Sequence, residues 1–89
     1  MNPRHRRMLR WIFDTPVRSN IPWQDVEKML IALGAEVSEG RGSRVRVCLR
    51  DVNAVFHRPH PRKETDKGAV VSVRRFLMTA RISPGKDDL

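Results

Sequence analysis

Between Pro22 and His57 the apolar residues change their spacing, and few small folds accommodate the change. Val26, Met29, Leu30 and Leu33 recur at intervals of three and four, the pattern of a helix with one buried face. Pro22 suits the first helical position, where a missing N–H costs nothing, and Gly34 supplies a left-handed stop. From Ala35 onward the spacing is two. Ala35-Glu36-Val37-Ser38-Glu39 alternates apolar with polar, and Gly40-Arg41-Gly42 reads as a turn. Arg44-Val45-Arg46-Val47-Cys48-Leu49 opens with strict alternation, which sends Val45 and Val47 inward and Arg44 and Arg46 outward. Asp51-Val52-Asn53 reads as a second turn and Ala54-Val55-Phe56-His57 as a third short strand. Strands in succession joined by tight turns predict an antiparallel meander.

Helices are expected on both flanks. His5, Met8, Leu9, Ile12 and Phe13 share one helical face, with Arg4, Arg6, Arg7 and Arg10 crowding the rest, and Thr15-Pro16 stops this helix. An arginine-rich amphipathic N-terminus also has the pattern of an organellar transit peptide; here it reads as a helix docked on the domain. Pro59 and Pro61 end the sheet, and residues 62–67 read as a charged loop. A last helix starts near Gly68, burying Val70, Val73, Phe76, Leu77 and Ala80 and leaving Arg74 and Arg75 outside. The expected fold is a small α+β sandwich of order α-α-β-β-β-α. A three-stranded antiparallel meander carries helices on one face, the other being left to solvent or a partner. Residues 1–15 form the basic N-terminal helix, 20–82 the domain proper and 83–89 a flexible tail.

The 89 residues suffice for one hydrophobic core. No apolar run approaches the length needed to cross a bilayer, and Trp11-Ile12-Phe13 is too short for a secretory signal. Cys48 is the lone cysteine, so no intrachain disulfide framework is available and the cytoplasm is the expected compartment. Eighteen Lys and Arg against ten Asp and Glu give a net charge of +8. Arginine, the side chain that grips phosphate bidentately and stacks on bases, dominates the cations. A polyanion is the first partner to consider, and nucleic acid the usual one. The charge is concentrated in residues 1–10, with four arginines and no acid, and in residues 41–62, with six arginines and one Asp. Residues 20–39 hold one Lys against four acids, so the central helix is the expected acidic opposite of a basic sheet.

The catalytic vocabulary is small. Cys48 reads as a small apolar residue rather than a nucleophile, since no histidine is beside it in sequence. His57, His60 and Cys48 have irregular spacing and fall short of the four ligands of structural zinc, so no metal and no cofactor are expected. Gly40-Arg41-Gly42-Ser43-Arg44 lacks the spacing of a Walker or dinucleotide loop and reads as a hairpin turn. His57-Arg58-Pro59-His60-Pro61-Arg62-Lys63 is different, because it places imidazoles and cations where a strand runs into a stiffened loop. Metal-free RNA cleavage needs a base to take the 2′-hydroxyl proton and cations to hold the phosphate whose charge grows. Alternatively, the cluster grips phosphate only, or its histidines bond loop backbone.

Several strings resemble the HicA-type toxins of bacterial toxin–antitoxin modules over residues 21–82. They are Leu33-Gly34-Ala35 at the helix end, Gly42-Ser43 opening the second strand, and Pro59-His60 after the third. Lys67-Gly68 opens a last helix reading Val73-Arg74-Arg75-Phe76-Leu77, and the spacing from His60 to Gly68 also resembles the family's. The resemblance implies a double-stranded-RNA-binding-like fold, ribonuclease activity on mRNA and neutralisation by a HicB-type antitoxin. Such folds read RNA by shape, phosphates and 2′-hydroxyls. The family motif is Gly-Ser-His, its histidine taken as catalytic, whereas this chain has Gly42-Ser43-Arg44. Arginine does not deprotonate in proteins and is no general base. Three readings follow: the base is His60, with His57 in reserve; the chain binds RNA without cutting it; or Arg44 acts by electrostatics alone. Arg41, Ser43, Arg44, Arg46, Arg62, Lys63 and Lys67 are the expected RNA contacts. No membrane partner is expected, and the chain alone is expected to be a monomer or a dimer, with the N-terminal helix covering a sheet edge or joining the dimer.

Overall fold

A computed structural model describes residues 1–60 and 63–85. Its elements run α1 (Pro3–Ile12), β1 (Ile21–Pro22), α2 (Trp23–Ala32), β2 (Glu36–Glu39), β3 (Arg44–Leu49), β4 (Val52–His57), β5 (Glu64–Thr65) and α3 (Lys67–Thr79). β2, β3 and β4 form the antiparallel meander in that order. The fold is the expected α+β sandwich. Val45, Val47, Leu49 and Phe56 face Val26, Met29 and Leu30 of α2 and Val70, Val73, Phe76 and Leu77 of α3 in one buried cluster. The Phe56 ring joins the layers, 5.8 Å from Trp23 and edge-on to Phe76 at 5.7 Å.

Local chemistry explains the boundaries. Asn2 caps α1 by accepting from the His5 N–H, and Met8, Leu9 and Ile12 are the residues it buries. The helix stops at Ile12, short of the expected Thr15-Pro16. There Arg74 of α3 donates to the carbonyls of Ile12 at 2.7 Å and Asp14 at 2.6 Å. Arg74 is therefore a cap for the end of α1 and not an outward-facing cation, a correction to the helical reading. α1 packs on α2 and α3, within the helical layer. Pro22 is the cap residue before α2, one position earlier than expected. Gly34 ends α2 at φ +101°, with Ala35 N–H donating to Leu30 O and Gly34 N–H to Ile31 O, the paired bonds of a Schellman stop.

Two further features differ from expectation. The turn between β3 and β4 is Arg50-Asp51, both at positive φ, so β4 starts at Val52 and not at Ala54. Arg50 and Asp51 lack the glycine that marks such two-residue turns. Within the supposed charged loop, Glu64 and Thr65 pair with Pro22 and Ile21. This ladder ties the entry of α3 to the entry of α2, and α3 begins at Lys67 with Asp66 as its cap. The expected tail from residue 83 falls partly outside the described residues, as 86–89 lie beyond them.

Candidate functional site

Strand parity determines what the open face of the sheet displays. Register pairs Arg44 with His57, Arg46 with Val55 and Cys48 with both Glu36 and Asn53. Because Val45, Val47 and Leu49 are buried, all of those partners project from the other face. Arg58 N–H donates to Ser43 O at 2.8 Å, so the pair next to it, Arg44 and His57, is a non-hydrogen-bonded pair. Side chains in such pairs stand closest, with Cβ atoms about 4.5–5.5 Å apart. Arg44 and His57, together with Arg41, Gly42 and Ser43, line a shallow depression of about 440 Å³. The turn that forms its wall closes with Gly40 N–H donating to Arg44 O, and Gly42 takes φ +60°. Arg46 lies two residues further along β3 in a second trough, about 550 Å³, shared with Glu36, Ser38, Cys48, Asn53 and Val55. The open face is thus arginine-bearing at the turn end and mixed in charge toward Glu36.

The residue after His57 faces the other way. Arg58 Nε and Nη2 donate to Glu27 of α2 at 2.8 and 3.0 Å, while Nη1 donates to Glu39 of β2 at 2.9 and 2.6 Å. Glu27 also accepts from the Trp23 indole N–H. Hydrogen bonds to Glu27 and then Glu39 push the Arg58 guanidinium above its ordinary pKa, outweighing desolvation. Arg58 is a strut that fixes the end of β4 to α2, so the acid of the central helix is partly spent within the fold.

The remaining expected contacts are dispersed. His60 is exposed beyond Pro59 and is not among the residues lining the Arg44–His57 depression. Lys63 is exposed and lines a separate hollow with Pro22, Trp23, Gln24, Arg58 and Pro59. Lys67 lines another with Ser19, Asn20, Glu64, Thr65 and Asp66. Arg62 lies outside the described residues. The facing of Arg44 and His57 follows from the two-residue turn at Arg50-Asp51, and a turn set two residues later concealed it. Among the described residues no three His, Cys, Asp or Glu side chains are grouped to hold a metal ion. Among them, too, no helix is long and apolar enough to cross a membrane.

Residues 23–81, from the first turn of α2 to just past α3, match the model of the family described as HicA toxin of bacterial toxin–antitoxin. The chain belongs to the HicA toxin family. The matched region contains β2, β3, β4 and the whole Arg44–His57 depression, while α1 and β1 precede it. Searches of curated proteins and of solved structures returned no match. Membership in the HicA family assigns the chain to the toxin side of a toxin–antitoxin pair and implies a cognate antitoxin.

Proposed function

We propose that this HicA-family toxin binds mRNA on the arginine-bearing face of its sheet and cleaves it without a metal, His57 serving as the general base. The observation that carries the reading is the register pair Arg44–His57 inside one depression with Arg41 and Ser43. The family resemblance puts a histidine where Arg44 stands, and the neighbouring strand offers an imidazole beside that position. His57 takes the proton of a 2′-hydroxyl, and the 2′-oxygen attacks the adjacent phosphorus. The bond to the 5′-oxygen then breaks, with that oxygen protonated from solvent, leaving a 2′,3′-cyclic phosphate and a 5′-hydroxyl. Arg41 and Arg44 hold the phosphate oxygens as charge accumulates on them. Arg46 extends the contact along the strand, with Lys63 and Lys67 reserved for more distant phosphates. His60 takes second place as the base, because it is absent from the lining of the depression. A HicB-type antitoxin neutralises the activity in the cytoplasm.

A second reading keeps the RNA surface and drops the chemistry, and Arg44 itself favours it, since arginine cannot act as a base. Induced expression in bacteria, following growth and mRNA integrity together, separates the two. The catalytic reading expects arrest and mRNA loss from the wild type and from His60→Ala, and neither from His57→Ala. Arrest without mRNA loss, or none from well-expressed folded wild type, selects the binding module.

A further inference from the structure

The two edges of the meander are unlike. β2 is four residues long and carries Glu36 and Glu39, charges of the kind that keep an open edge from pairing with another chain. β4 is six residues long, Val52-Asn53-Ala54-Val55-Phe56-His57, with no Lys, Arg, Asp, Glu or Pro. It pairs with β3 one residue to one, without a bulge, and among the described residues no strand pairs with its other side. Since Arg58 N–H bonds to β3, so do the residues in step with it, Phe56, Ala54 and Val52. Asn53, Val55 and His57 therefore turn their N–H and C=O groups to the open side. Val55 is also 54% exposed. The open side is a groove of about 380 Å³, bounded by β4 and by Ser72, Arg75, Phe76 and Thr79 of α3. An unguarded strand with a helix beside it is a geometry in which proteins capture extended peptides by strand addition.

Charge decides the occupant. A second copy of a chain bearing +8 is repelled, whereas an acidic segment is attracted. We infer that the groove between β4 and α3 takes an extended segment of a partner protein, apolar residues alternating with Asp or Glu, as a fourth strand. Its apolar side chains continue the layer of Val52, Ala54 and Phe76, and its acidic ones leave the opposite face, on the arginine-bearing side of the sheet. The added strand lies against the backbone of His57 and shields the edge of the depression. That shielding rests on the RNA-cleavage reading; strand addition does not.

The test is amide NMR on the full chain with two short synthetic probes, one alternating Val with Glu and one alternating Val with Lys. The Glu peptide is expected to shift and protect from exchange the amides of Asn53, Val55 and His57, and to bind about tenfold tighter than the Lys peptide. Val55→Lys, which guards the edge without altering the core, is expected to abolish binding at an unchanged unfolding transition. Three peptide results overturn the inference: no binding of the Glu peptide; equal binding of both probes; or shifts confined to Arg44 and Arg46. Self-association of the chain alone that Val55→Lys removes also overturns it, in favour of a second copy. Cleavage by the wild type and by His57→Ala is scored separately, so a failure of the RNA reading is distinguishable.

Discussion

His57 and Arg58 are neighbours in sequence and do opposite work, because successive strand residues leave opposite faces of a sheet. The imidazole goes to the open face beside Arg44, and the guanidinium goes inward to Glu27 and Glu39. Replacing Arg58 with Ala is expected to cost about 1 kcal/mol, since the bidentate pair to Glu27 is only partly shielded and that to Glu39 is exposed. Chemical denaturation measures the loss. The folded-state pKa of Arg58 is raised, so its contribution is fully present below the ordinary arginine range and fades only above it. The cost of Arg58→Ala is accordingly expected to be the same in neutral and mildly alkaline buffer. Arg44→Gln leaves the fold intact and lowers RNA affinity, with the log–log salt dependence shallower by about one unit, as for removal of one phosphate contact. A binding titration at several salt concentrations reads it.

At the scale of the element, the β3–β4 turn is the weak point of the hairpin. Arg50 and Asp51 both occupy left-handed backbone, at φ +51° and +65°, which costs an L-residue about 1–2 kcal/mol. Arg50 is held there by donating to the carbonyls of Ala80 and Arg81. Asp51→Gly relieves the second position and is expected to stabilise the protein by about 0.5–1 kcal/mol, read as a higher thermal midpoint. The same turn shows what was legible. Helix α2 and strand β3 follow directly from spacing, because Pro22, Gly34 and the Val45-Val47 alternation act locally. The turn carried no glycine signal, so the facing of Arg44 and His57 was out of reach. The β1–β5 ladder is two residues long and pairs segments far apart in sequence, and no local pattern announces it. Arg74 looked like a solvent cation until α1 presented its terminal carbonyls.

Across the whole molecule, α1 stands outside the family match yet supplies Met8, Leu9 and Ile12 to the common core. Ile12 is fully buried, so Ile12→Ala is expected to cost about 2–5 kcal/mol, a large part of what a domain this small possesses. Equilibrium unfolding of that variant measures how far the helix is part of the fold rather than an appendage. The layering also separates tasks. Helices close one face of the sheet, the Arg44–His57 depression opens on the other, and β4 borders both that depression and the α3 groove. The most direct measurement of the central claim is single-turnover cleavage of a labelled RNA by purified wild type, His57→Ala and His60→Ala, with the 3′ ends identified. The account predicts 2′,3′-cyclic phosphate ends, a loss of about a hundredfold or more with His57→Ala at nearly unchanged RNA affinity, and a near-wild-type rate with His60→Ala. Full activity in His57→Ala alongside its loss in His60→Ala would contradict it.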